Sequence, residues 1–364
     1  MLHRRRVTTA AAWLLVAMVG ATACGSSADS PVTSPTSPSQ PMPPADTTSL
    51  RTYANRRNLF VGSAIDRGFR YGGSDGVTFR TNMARQFNML TAENDMKHDH
   101  IHPGRDTYRF EPADSLVTFA EANGMRVRGH TLVFHNQLAS WLTSGTWTKD
   151  EAKALLVDHI SKVVGHYKGR VAEWDVVNEV LGDNGALRPG FWLDHIGPEY
   201  IELAFRTARA ADPTVGLFYN DYNIEGINAK SDSALAFVKD LIARGVPITG
   251  VGFESHYQVG GVPSTLAANI ARFAALGLEV HITELDVRVQ LPSTSAALQT
   301  QAQNYRDVVS ACMQNAACDA VVFWGFTDRE SWIPGTFPGW GDALLFDASY
   351  AAKPAFTSLQ SLLK

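Results

Sequence analysis

Two short segments hold the residues best suited to chemistry: Trp174-Asp175-Val176-Val177-Asn178-Glu179 and His281-Ile282-Thr283-Glu284-Leu285-Asp286. Each is a brief apolar run that reads as a buried strand and ends at a glutamate. Two carboxyl groups facing one groove can cleave a glycosidic bond. One lends a proton to the leaving oxygen while the other attacks carbon, or activates the water that does. Glu179 and Glu284 are the candidates, and the fold must bring them together from distant parts of the chain.

The surrounding pattern supplies elements able to do so. Apolar runs at 59–65, 87–91, 126–132, 171–178, 215–220, 250–256, 278–283 and 320–326 read as eight strands. Helical patterns separate them, among others at 148–167, 199–210, 231–244 and 295–311, and Gly245-Val246-Pro247 and Gly277 act as helix stops. Alternation of this kind predicts an α/β fold with a parallel sheet, closed here as a single (β/α)8 TIM barrel over residues 51–364. The C-terminal strand ends of such a barrel form the active-site mouth. Glu93, Asn94, His130, Asn178, Glu179, Asn220, Asp221, Glu254, His256, Glu284 and Trp324 all fall at or just after those ends. A structural role suffices for one or two polar strand ends; a shared cleft accounts for nearly all of them.

The residues now carry a family likeness. Phe87-Asn88-Met89-Leu90-Thr91-Ala92-Glu93-Asn94-Asp95-Met96-Lys97, Gly129-His130-Thr131-Leu132-Val133, His135-Asn136-Gln137, the Trp174 and His281 segments, Tyr219-Asn220-Asp221-Tyr222-Asn223, and Trp324-Gly325-Phe326-Thr327-Asp328 with Ser331-Trp332 resemble glycoside hydrolase family 10. They do so in order, from about Asn55 to Phe356. The resemblance implies a retaining endo-β-1,4-xylanase with Glu179 as acid/base and Glu284 as nucleophile. It also implies that Asn178 bonds the sugar 2-hydroxyl, that Lys97 and His130 grip the glycone sugar, and that Glu93 and Asn94 serve one subsite further out. His256 would orient Glu284, Tyr222 would line the groove, and Trp324 and Trp332 would stack on pyranose rings. Asp286 either supports Glu284 or simply pairs with an arginine. No cofactor and no catalytic metal are implied.

Three positions depart from the family pattern: Phe134 and His98 stand where Trp is usual, and Glu254 where Gln is usual. Glu254 adds a third carboxyl, so one pKa should rise, and the expected consequence is a shifted pH-activity profile or glycone preference. The run His98-Asp99-His100-Ile101-His102 has metal-ligand residue types, but it reads as an exposed polar loop with no matching ligands elsewhere.

The 364-residue chain is 45% hydrophobic and 19% charged, enough to bury a large core. A net charge of −4 gives no footprint for nucleic acid. His3-Arg4-Arg5-Arg6 followed by a short apolar stretch reads as a secretory signal over residues 1–23. Ala21-Thr22-Ala23-Cys24 resembles a lipoprotein cleavage box with Cys24 lipidated; the alternative is cleavage nearby with Cys24 a leftover thiol. Residues 24–50, rich in Ser, Pro and Thr, read as a tether. In an exported chain Cys312 and Cys318 are expected to form a local disulfide, against the alternative of two buried thiols. A monomer is expected, exported and either held at the cell surface or outer membrane through an anchor at Cys24 or otherwise secreted, with xylan or a related β-1,4-linked polysaccharide as partner. The rivals are a hydrolase of another β-1,4-glycan or of short oligosaccharides, and a silent carbohydrate-binding barrel.

Overall fold

The computed structural model describes residues 48–364. The signal segment, most of the tether and Cys24 lie outside the described residues. Ten strands follow in chain order: β1 (Phe60–Ile65), β2 (Met89–Ala92), β3 (Arg126–Gly129), β4 (Glu173–Asn178), β5 (Gly216–Asp221), β6 (Gly250–Phe253), β7 (His256–Gln258), β8 (Glu279–Gln290), β9 (Ala320–Phe323) and β10 (Trp340–Gly341). The sheet runs β8-β6-β5-β4-β3-β2-β1-β9, parallel throughout, and pairing of β8 with β9 closes it. This is the (β/α)8 barrel expected from the alternation. β7 and β10 are short additions on β8.

The strands are buried almost end to end, as apolar runs covered on both faces must be. Inside the barrel, Met89, Ala320, Val322 and Phe60 form an apolar cluster separate from the main core. Gly62 lies against it, and a Cβ there would come within 3.0–3.1 Å of Met89 and Val322. Arg128 is also fully buried, ion-paired to Asp175 and set over the Phe218 ring. The larger core lies between the strands and the helices.

Helix Leu50–Arg56 begins earlier than the composition suggested. Ser49 caps it by accepting from the Thr52 N–H, and Leu50 is buried, so these two residues belong to the domain rather than to the tether. The helix at Lys149–His166 carries the capping box of Thr148 and Glu151 that fixes its start.

The runs at 126–132 and 320–326 end early, at Gly129 and Phe323, and two further strand readings change more. The run at 250–256 breaks after Phe253, because Ser255 adopts a φ of +68°, and pairing resumes in β7. The run expected to stop at Thr283 continues to Gln290. Glu284 therefore lies within β8 rather than at its end, at a register shift between Ile282 and Leu285 in the pairing with β9. Past the shift, β8 pairs with β7 at Asp286, Val287 and Arg288 and with β10 at Val289 and Gln290 instead of with the barrel strands.

The histidine run is a further correction. His98–Ile101 is a helical turn, and His98 and His102 are buried, packed with His159 from the Lys149–His166 helix and with Trp141. The missing partner was a histidine on an apolar helix face, which reads from sequence as ordinary core. The cysteines behave as expected: Cys312, in the last turn of Ser295–Met313, bonds Cys318 just ahead of β9, with a Cα separation of 5.1 Å.

Candidate active site

Glu179 follows the last residue of β4 with a φ of +51°, a region that a non-glycine residue enters only when its surroundings hold it there. They do: its N–H donates to the Asn220 carbonyl at 2.9 Å, and its own carbonyl accepts from Arg188 Nε at 2.9 Å. The side chain is delivered into a cleft of about 630 Å³ at the barrel mouth, where Glu284 also lies. Arg188 Nη2 and His135 Nδ1 each stand 4.0 Å from Glu179 Oε2.

The two carboxyl groups are set to opposite protonation states. Burial, then the negative charges of Glu284 and Asp221, push Glu179 up to about 7. Burial alone would raise Glu284 as well, but the cationic surroundings of His130, His256 and Lys97 outweigh it and hold Glu284 below the usual carboxylate range. One group thus keeps a proton near neutral pH while the other is ionised, the division of labour that glycoside hydrolysis by two carboxyl groups requires.

Glu284 is fixed from three sides. Asn220 Nδ2 donates to its Oε1 at 2.9 Å, His256 Nε2 is 3.3 Å from Oε2, and His130 Nδ1 is 3.8 Å from Oε1. His256 is itself anchored, its Nδ1 3.0 Å from Asp286 Oδ2. Burial works against its charge, but the pairing with Asp286 and Glu284 prevails and lifts it to about 10. Trp332 Nε1 donates to the same Asp286 oxygen at 2.7 Å, so one carboxylate positions both the imidazole and the indole. Asp286 therefore supports Glu284 through His256.

Asn220 is the hub of the mouth. The ionised carboxylate of Glu284 can only accept, which fixes the facing end of the Asn220 amide as NH2; that NH2 also donates to Asn178 Oδ1 at 2.8 Å, while Oδ1 accepts the Thr283 hydroxyl at 2.6 Å. Gly252 makes room for it, because a Cβ there would stand 2.0 Å from Asn220 Oδ1. Asn178, held by its oxygen, keeps its own NH2 as a donor toward the cleft it lines. His130 Nδ1 lies 3.0 Å from Asp175 Oδ2, whose other neighbour is the buried Arg128.

Lys97, His130, Asn178, Tyr222, Glu254, His256, Trp324 and Trp332 all line the cleft with the two glutamates, as does Phe134. Glu93 and Asn94 stand half-buried beside this group: Asn94 accepts from Lys97 Nζ at 3.2 Å and from Gln137 Nε2 at 3.0 Å, both residues of the cleft lining, and so positions both. Glu93 is raised to about 7 by burial and then by Asp66. His98 lies in the core away from the cleft, so its departure from the family residue touches no sugar position. Asn136, Gln137, Asn223, Glu225, Arg288 and Phe337 also line the cleft. The first three sit inside motifs visible in the sequence. Arg288, on the extension of β8, and Phe337, on the loop beyond Trp332, had no signal of their own.

The sequence profile of a family described as "Glycosyl hydrolase family 10" matches residues 49–362. The chain is 46% identical over 317 residues to endo-1,4-beta-xylanase B of Thermotoga neapolitana, covering 86% of this chain and 91% of that one. Among solved structures, native xylanase 10B of Thermotoga maritima superposes with a TM-score of 0.85 at 48% identity, covering 86% of this chain and 98% of that chain. Xylanase 10B of Thermotoga petrophila RKU-1 in complex with xylobiose gives a TM-score of 0.85 at 47% identity, covering 86% and 97%.

Proposed function

Because the chain belongs to glycosyl hydrolase family 10, we propose that it is a retaining endo-β-1,4-xylanase that cuts internal bonds of xylan. The observation that carries this is the family match over residues 49–362, and the pairing, in one groove, of a glutamate held protonated with a glutamate held ionised fits it. Glu179 gives its proton to the leaving oxygen as Glu284 Oε bonds the anomeric carbon and the glycosidic C–O bond breaks. Water then attacks that carbon, passes a proton to Glu179, and Glu284 departs as carboxylate. Asn178 reaches the 2-hydroxyl, where a contact that tightens in the transition state lowers the barrier. Lys97 and His130 hold the glycone sugar, and Trp324 and Trp332 offer ring faces.

Hydrolysis of another β-1,4-glycan is the second reading, favoured by Phe134, which lines the cleft with a smaller ring and no N–H. A substrate panel separates the two: xylan, mixed-linkage glucan and xylo-oligosaccharides, with product lengths followed over time. Early release of mixed xylo-oligosaccharides from xylan is expected; glucan as the preferred substrate contradicts the proposal. Export and surface tethering through Cys24 belong to the same proposal. Metabolic labelling with a fatty acid, lost in Cys24→Ser, is the expected result, and labelling unchanged by that substitution overturns it.

A further inference from the structure

Glu254 is a buried carboxyl in the cleft for which the double displacement has no assigned step. One carboxylate oxygen of Glu254, one of Glu284 and a ring nitrogen of His256 all lie within 4.8 Å of one another. The donors around them can be counted. Asn220 Nδ2 carries two protons and faces three acceptors: Asn178 Oδ1 at 2.8 Å, Glu284 Oε1 at 2.9 Å and Glu254 Oε1 at 3.3 Å. His256 Nε2 carries one, and stands 3.3 Å from Glu284 Oε2 but 3.9 Å from Glu254 Oε2. Among the described residues every nearby proton is therefore better placed for a neighbour, and Glu254, only 2% exposed, has none wholly its own. A buried carboxylate without donors is costly; a carboxylic acid brings its own donor.

We propose that Glu254 works as a neutral carboxylic acid beside the nucleophile, and that its loss of that proton sets an alkaline limit on the second step of hydrolysis. This rests on Glu284 being the nucleophile. The groups that face Glu254 are Glu284 on β8, Glu179 after β4, Tyr219 and Asp221 on β5, Glu225 beyond it, and His256 on β7. Burial, followed by repulsion from Glu284 and then Glu179, raises the pKa of Glu254 well above the usual carboxylate range. His256, the cation among them, is paired to Glu284 and Asp286.

The first displacement alters this balance. When Glu284 bonds the sugar carbon, its charge disappears and reappears on Glu179, whose repulsion of Glu254 is the weaker of the two. Glu254 then releases its proton to solvent more readily than in the free enzyme. The second displacement must return a carboxylate to Glu284, and it is opposed when Glu254 is already charged. Gln at this position supplies the same hydrogen-bonding shape without a charge.

The test compares wild type and Glu254→Gln across the alkaline range, with kcat followed on a dinitrophenyl xylobioside, whose good leaving group makes the second step limiting, and kcat/KM on a xylo-oligosaccharide, whose leaving oxygen needs the Glu179 proton. The alkaline limb of kcat is expected to move up by about one pH unit in Glu254→Gln, a roughly tenfold relative gain on that limb. The limb of kcat/KM, governed by Glu179, should move much less. Superimposable kcat profiles, or equal movement of both limbs, overturn the proposal. Infrared spectra of wild type, free and trapped with a 2-deoxy-2-fluoro glycoside, read the same proton without kinetics. A protonated-carboxyl band, identified by its loss in Glu254→Gln, should persist to higher pH in the free protein, and a free protein lacking that band contradicts the proposal. Mass analysis of the trapped protein keeps the two ideas apart. A label on any residue but Glu284 removes the underlying mechanism, whereas a label on Glu284 with unmoved kcat removes only the role of Glu254.

Discussion

Glu179 and Glu284 have the same side chain and opposite tasks, and the difference comes from what surrounds each. Glu284 has Asn220 Nδ2 and His256 Nε2 within 3.3 Å of its oxygens and His130 Nδ1 at 3.8 Å, whereas the nearest cation to Glu179 Oε2, Arg188, stands 4.0 Å away. Removing the nucleophile with Glu284→Ala should lower kcat by about 10⁴-fold or more, because its step has no substitute. Glu179→Ala should cost about 10²–10⁴-fold on xylan, the usual worth of a positioned acid. With a dinitrophenyl leaving group, which needs no proton, the first step should be nearly spared. A burst of dinitrophenol followed by slow turnover would show this; equal losses on both substrates would contradict the acid assignment. At this scale the sequence was informative where a residue sat in a motif, as with Asn178, His130 and Trp332. It was silent where meaning lies in a distance: nothing in the order of residues says that Asn220 donates to Asn178 and Glu284 at once.

At the scale of elements, two buried polar devices hold the strands that carry the site. Arg128 on β3 and Asp175 on β4 pair inside the barrel, and Asp175 also steers His130. Asp175→Asn leaves Arg128 buried without its counter-charge, and should cost about 3–5 kcal/mol in urea unfolding. The second device is the histidine trio of His98, His102 and His159. Burial, and then the mutual repulsion of the three rings, pulls His98 well below the ordinary imidazole value, and burial lowers His102 as well. Burial takes His159 down to about 3. A depressed histidine binds fewer protons folded than unfolded, so its stabilising effect is complete above about pH 6.5 and is lost as pH falls toward the folded value. The melting temperature of wild type should therefore drop by about 5 °C or more between pH 7 and pH 4.5. His98→Phe, which removes one titrating ring of the trio, should flatten that drop; an unchanged slope would contradict the account. Strand positions were legible because their apolar runs are distinct. The continuation of β8 past Glu284 was not, since alternating polar and apolar residues there answer to β7 and β10 rather than to the barrel. The histidine trio was hidden because its third member lies on another helix.

At the largest scale, the described residues bring their two ends together. The helix at Leu50–Arg56 meets the last helix, with Arg57 Nε donating to the Leu363 carbonyl at 2.7 Å and Gln360 Nε2 to the Thr48 carbonyl at 2.6 Å. Shortening the chain to begin at Thr48 should leave the melting temperature and activity on soluble substrate unchanged, while Leu50→Ala, which empties a fully buried position, should cost about 2–5 kcal/mol. Loss of the Cys312–Cys318 bond in a double serine variant should cost about 2 kcal/mol, the low end expected for so short a loop. Barrel topology was readable from the strand–helix alternation, and with it the side of the barrel on which chemistry would lie. The measurement that bears most directly on the account is the anomeric form of the first sugar released from a xylo-oligosaccharide, followed by proton NMR from the earliest turnover. Glu179 and Glu284 acting as acid/base and nucleophile predict the β-anomer first, decaying by mutarotation to the equilibrium mixture. The α-anomer appearing first would mean that water, not Glu284, attacks the sugar.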